Sequence, residues 1–264
     1  MPAIPYWHVD AFTTAAFGGN QAAVMLWEDG FPPDEIMQKI GEENNFAETA
    51  FLVPCDADEA DWHLRWFTPE CEIRLCGHAT LAAGHVLLEQ GGGDQIRFLT
   101  RQAGVLTMRR SAAGYELALP AIPTQPGDWP EAAAALGAVP QAINRSPDRY
   151  NVFLFEDEAA VRGLSPDFAA LAAMGDHQFI CTAPGTGTDV VSRVFVPGAG
   201  VPEDSVTGSA HAVLTPFWAE RLGRPDFTAH QASRRGGTLT CRLDGDTAWL
   251  GGECVTVVEG MFRY

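Results

Sequence analysis

The feature that most narrows what this chain can fold into is an internal echo. Leu75-Cys76-Gly77-His78-Ala79-Thr80-Leu81 in the first half reads beside Val206-Thr207-Gly208-Ser209-Ala210-His211-Ala212 in the second. In both, a glycine follows a small polar side chain and opens an apolar run with helical spacing. That pattern predicts a loop closing onto a helix N-terminus, where backbone N–H groups point outward. Arg65-Trp66-Phe67-Thr68-Pro69 precedes the first run and Arg193-Val194-Phe195-Val196-Pro197 the second. Each reads Arg-x-Phe-x-Pro, a β-rich segment closed by a residue that cannot continue a ladder. Downstream, Gln102 to Arg109 is similar to Arg235 to Arg242. Matching segments in the same order predict two copies of one unit.

Each copy, about half of 264 residues, is long enough for its own core. The charge balance is 17 Lys and Arg against 34 Asp and Glu, a net −17 with Lys39 the sole lysine. Such a surface repels phosphate backbones and anionic lipid, which argues against nucleic-acid and membrane partners but leaves room for a small anion in a local positive site. The start lacks a basic and apolar leader pattern, and no run approaches the roughly 18 apolar residues of a membrane span. Six cysteines show no C-x-x-C pairing, so reduced thiols and a cytoplasmic location are expected.

Taken in order, Tyr6 to Phe12 and Gln21 to Trp27 read as strands around a Phe17-Gly18-Gly19-Asn20 turn. Pro32-Pro33-Asp34 opens a helix through Ile40. The polar turn Asn44-Asn45 then leads into a strand ending at Pro54. Trp62 to Phe67 is a further strand, followed by a helix from about His78 to Glu89 and strands through Leu119. The proline-rich stretch Pro120 to Pro130 predicts the crossing between halves. Beyond it come short helices at 132–136 and 167–174, strands at 151–155, 179–182 and 190–196, a helix from Ser209 to about Leu222, and strands over 238–258.

Glu48 lies between a polar turn and the apolar run Ala50 to Val53. Partial desolvation there would make it a usable acid or base, although spacing alone favours a solvated strand-end carboxylate. His78, just past Gly77, is poised either to hold a proton near neutral pH or to cap the helix. Asp204 offers a second carboxylate or a turn brace, and Ser209 reads most simply as an N-cap. The helix starts at Gly77 and Gly208 form a credible carboxylate site. Pro184 to Asp189 lacks the residues of a phosphate-binding loop, no Cys/His cluster has zinc spacing, and no G-x-S-x-G elbow is present. No metal site is therefore expected.

Phe17-Gly-Gly-Asn20-Gln-Ala-Ala-Val24, Asn45-Phe-Ala-Glu48-Thr49, Arg65 to Pro69, Leu75 to Thr80 and Glu203 to Ala210 together resemble the PhzF-like family of phenazine biosynthesis. The resemblance runs over essentially the whole chain. It departs at Gln21 and Ser205, where the family commonly has proline; Ser205 is expected to loosen the turn presenting Asp204. It implies an α+β fold of the diaminopimelate epimerase type. In that fold two similar domains, here 1–119 and 120–264, each wrap a curved, largely antiparallel sheet around a central helix, with a cleft between. The last strand is free to return to the first domain.

The resemblance further implies a cofactor-independent isomerase that moves a proton between carbons of a small, even cyclic, carboxylic acid. Glu48, His78 and Asp204 would carry catalysis, Asn20, Gly77, Gly208 and Ser209 would bind substrate, and the protein would be a homodimer. Related epimerases need two thiols; here Cys76 stands at the first position and Thr207 at the second, and a hydroxyl is too weak a base without an activating group. An amino-acid racemase using Cys76 and a non-catalytic small-acid binding protein are the two alternatives.

Overall fold

A computed structural model describes residues 2–91 and 93–264. The chain divides into two compact units. The first runs up to Leu119 and takes in Gly251–Tyr264; the second is Pro120–Leu250.

The first unit opens with β1 (Ala3–Ala11), β2 (Asn20–Leu26), α1 (Asp34–Asn44), β3 (Glu48–Pro54), β4 (Trp62–Phe67) and β5 (Glu72–Ile73). It continues with α2 (Gly77–Glu89), β6 (Gln95–Thr100), β7 (Val105–Ser111) and β8 (Gly114–Pro120). The second contains β9 (Gln125–Gly127), α3 (Pro130–Leu136), β10 (Ala142–Arg145), β11 (Tyr150–Leu154), α4 (Glu158–Arg162), α5 (Phe168–Ala173), β12 (Gln178–Pro184) and β13 (Val190–Val196). There follow β14 (Val201–Asp204), α6 (Gly208–Leu222), β15 (Asp226–Gln231), β16 (Gly237–Asp244) and β17 (Thr247–Gly252). The chain then returns to the first unit as β18 (Cys254–Arg263), which lies antiparallel along β1.

The pairing scheme is the same in both units. In the first, β2 is parallel to β3, β3 antiparallel to β4, β4 antiparallel to β5 and parallel to β6, and β6 antiparallel to β7. In the second, β11–β12, β12–β13, β13–β14, β13–β15 and β15–β16 repeat those relations in order. Each parallel step is bridged by helix, as a crossover requires. The two Arg-x-Phe-x-Pro segments are β4 and β13 with the prolines just beyond.

Period-2 geometry puts arginine and phenylalanine on one strand face. There Arg65 forks onto Glu72 at 2.7 and 2.8 Å and lies 5.2 Å over the Phe67 ring. Arg193 forks onto Glu203 at 2.8 and 3.0 Å and lies 4.9 Å over Phe195. Each glutamate sits directly opposite the phenylalanine on the neighbouring strand.

Both faces of β3 are covered, which is why its apolar run is unbroken. Phe51 and Val53 join Met25, Trp27, Met37, Ile40 and Phe67 in a cluster around α1. Alternation turns Glu48, Ala50 and Leu52 to the other face, towards α2. The 13-residue α2 is buried almost end to end. Gly84 at its middle permits the close approach of β7, since a Cβ there would overlap the Met108 thioether. In the second unit Phe153, Phe155, Phe179 and Phe195 form a core with Leu136 and Leu171. The short helix α4 was not expected from the sequence: it has five residues, too few for a helical period to show, and Asp157 caps it through Ala160 N–H.

Candidate functional site

Glu48 reaches its position through the turn before it. Asn45 adopts a left-handed conformation (φ 51°) that stops α1, and Asn44 Nδ2 donates to Thr49 Oγ1 at 3.0 Å, pinning the turn to the start of β3. Glu48 is then the first residue of β3, and its Oε2 lies 2.9 Å from Nε2 of His78, the second residue of α2. Oε2 is buried, and its 2.9 Å approach to the imidazole is a charge contact rather than a well-aligned hydrogen bond. The Glu48 side chain is 15% exposed and His78 4%, so the carboxylate is the more accessible of the two.

Asn20, the first residue of β2, places Nδ2 3.1 Å from His78 Nδ1. In that arrangement Asn20 donates to the neutral ring, and a half-turn of its amide would offer Oδ1 to a protonated one. Burial works against a charged His78, but the Glu48 carboxylate beside it outweighs burial and holds the imidazole well above its ordinary value. The Cys76 sulfur lies 3.6 Å from His78 Nδ1. Burial first, and then the Glu48 charge, push this thiol up to about 11, so it stays protonated at neutral pH.

Glu48, Cys76 and His78 each offer one ligand-type atom, all within 4.8 Å of one another. A zinc ion there would need the Cys76 thiolate, which the burial of the sulfur resists.

In the second unit Thr207, not Ser209, is the N-cap of α6; Gly208 is its first residue and Ser209 its second. The sequence expectation for Ser209 as cap is thereby corrected: the extended backbone ends at Thr207, two residues earlier than the hydroxyl pattern suggested, and the helix has already begun at Gly208. Ser209 Oγ instead receives Gln178 Nε2 at 2.9 Å. Gly77 likewise opens α2, and the N-cap is Cys76, so His78 does not cap. Neither N-cap side chain bonds back to its helix, which leaves the first-turn N–H groups of both helices without side-chain caps.

Asp204, at the end of β14, accepts a 2.6 Å hydrogen bond from Thr207 Oγ1. The turn between them is held despite Ser205, because Ser233 Oγ donates to the Ser205 carbonyl at 2.7 Å. His211 is a core residue, donating through Nδ1 to the Thr207 carbonyl at 2.8 Å. Burial lowers it to about 4, so it is neutral.

The structure therefore brings Asn20, Glu48, Gly77 and His78 together in the first unit, and Asp204, Gly208 and Ser209 together in the second. Sequence reasoning missed Gln178 and Gln231. Gln178 had a signal: it opens its strand as Glu48 opens β3, one repeat earlier.

A family model described as phenazine biosynthesis-like protein matches residues 9–260. An uncharacterized isomerase of Pseudomonas aeruginosa is 44% identical to the chain, with 98% of each covered. Another from Halalkalibacterium halodurans is 41% identical, again with 98% of each covered. Among solved structures, a PhzF-family phenazine biosynthesis protein of Enterococcus faecalis superposes with a TM-score of 0.92 at 38% identity, covering all of both chains. The fold is accordingly α+β, of the diaminopimelate-epimerase-like kind.

Proposed function

The chain belongs to the phenazine biosynthesis-like family and is an isomerase, and from that premise we propose that it moves a proton between carbons of a small carboxylic acid with Glu48 as the acid and base. The observation that carries this reading is the 2.9 Å contact of Glu48 Oε2 with His78 Nε2, on an oxygen that takes no aligned hydrogen bond. A carboxylate so placed can take a proton from carbon, and the imidazole can stabilise the charge left behind. General acid–base action of this kind is worth roughly 10²–10⁴-fold.

Asn20 sets the ring of His78. The N-terminus of α2, opening at Gly77, suits a substrate carboxylate; the same role falls to Gly208 and Ser209 in the second unit, with Asp204 as a further acid/base or anchoring carboxylate. One residue that alternates between taking and returning a proton needs no cofactor. A homodimer, tested by analytical ultracentrifugation, is part of the same proposal.

The test is hydrogen exchange. Cyclic and amino carboxylic acids that raise the melting temperature are incubated with enzyme in D₂O, and deuterium entry at carbon is followed by NMR. Wild type should exchange, and Glu48→Gln should lose at least about a hundredfold; exchange by the variant at the wild-type rate overturns the assignment. Racemisation through Cys76 is the less favoured reading, because burial keeps its proton in place. Cys76→Ser separates the two readings, since it abolishes that chemistry and leaves Glu48 intact.

A further inference from the structure

Asp204 is braced by a hydrogen-bond chain whose direction can be read without ambiguity. Gln231, at the end of β15, is fully buried. Its Oε1 accepts the Thr207 backbone N–H at 2.9 Å. Its Nε2 donates to the Asp204 carbonyl at 2.8 Å and to Thr207 Oγ1 at 3.1 Å. Turning this amide over would set oxygen against carbonyl and N–H against N–H, so only one orientation satisfies the site.

Because Gln231 donates to Thr207 Oγ1, the hydroxyl hydrogen points the other way, at Asp204 Oδ2, 2.6 Å off. A bond of that length from a hydroxyl to a carboxylate is charge-assisted and stronger than a neutral one. Thr207 is itself only 6% exposed, so water competes little for either bond.

We infer that Gln231 and Thr207 are positioning residues that fix the Asp204 carboxylate as a directed acceptor. Gln231 sets the direction and Thr207 transmits it. Neither titrates near neutral pH, so the brace is the same whatever the protonation state of the Glu48 and His78 pair. The geometry also explains why a threonine is suitable at this position: its hydroxyl is committed to Asp204 as a donor. The importance of Asp204 to substrate rests on the function proposed above; the brace does not, and it is measurable without any substrate.

The test uses the full-length protein, with the Thr207 hydroxyl proton observed by NMR and assigned by its loss in Thr207→Val. In wild type the proton should resonate downfield of ordinary hydroxyls and exchange with water about tenfold or more slowly than an exposed threonine hydroxyl, as a hydrogen bond to a charged group implies. Thr207→Ser should keep the signal. Gln231→Leu should move it upfield and speed its exchange. A wild-type hydroxyl exchanging as fast as an exposed one overturns the brace, and so does a Gln231→Leu spectrum in which the proton is unchanged. A failure of Glu48→Gln to alter hydrogen exchange would leave these results standing, so the two readings fail separately.

Discussion

Glu48 and Gln178 occupy the same place in the two repeats. Each is the first residue of its strand, and each touches the second residue of the buried helix that follows in its own unit, Glu48 with His78 at 2.9 Å and Gln178 with Ser209 at 2.9 Å. Cys76 and Thr207 correspond as N-caps. One strand-to-helix contact thus occurs twice, with titratable partners in the first unit and neutral ones in the second.

That equivalence can be tested by introducing the titratable pair into the second unit. In a Gln178→Glu, Ser209→His double variant the introduced imidazole should titrate above 6.5, the ordinary value that His78 also exceeds, because a carboxylate faces it. NMR titration of the new ring resonance decides the matter, and a midpoint at or below that value means that the two contacts are not equivalent.

Removing the charge at position 48 should bring His78 down. In Glu48→Gln the imidazole loses the carboxylate, burial gains ground, and its titration midpoint falls. The sign for stability follows. A raised histidine contributes stability that is full below the ordinary 6.5 and fades as pH rises through the raised value. Urea unfolding across pH 6 to 9 should show that loss in wild type and much less of it in the variant.

His211 predicts the opposite slope. It is wholly buried and lowered to about 4 from 6.5 by burial, so the unfolded chain takes up its proton first as pH falls. Stability should drop between those two values, by up to about 3 kcal/mol for this residue. Comparing urea midpoints at pH 7 and pH 5 for wild type and His211→Asn checks it; equal pH sensitivity in the two would exclude His211 as the source.

Arg193 should tolerate lysine poorly. Besides its fork on Glu203, its Nη1 donates to the Leu164 carbonyl at 2.8 Å and the Arg162 carbonyl at 3.2 Å. A lysine ammonium cannot span the carboxylate and those carbonyls together. Arg193→Lys should cost roughly 2 kcal/mol in denaturant unfolding, and a cost below a few tenths would show that the fork contributes little.

Much of the fold was legible because it is written twice. The glycine-led helix starts and the Arg-x-Phe-x-Pro strands are local patterns, and two occurrences in one order imply one architecture. Glu48 and His78 were legible as candidates, but their contact was not: thirty residues separate them, and periodicity says nothing about which strand end meets which helix start. Asn20 and His78 are 58 apart in sequence, Thr207 and Gln231 24. A glutamine carries no local signature of the amide chain it will complete. Ser209 misled because serine prefers caps in general, whereas here a threonine two residues earlier holds the extended backbone that a cap needs.

The pairing of β1 with β18 has a consequence for the order of assembly. Ala3 finds its partner at Arg263, so on the ribosome β1 emerges long before the strand that completes its unit. The Glu48–His78 contact lies in the unit that must wait. During synthesis the second unit, continuous in sequence, has all its strands first, and the unit carrying the proposed acid and base closes last.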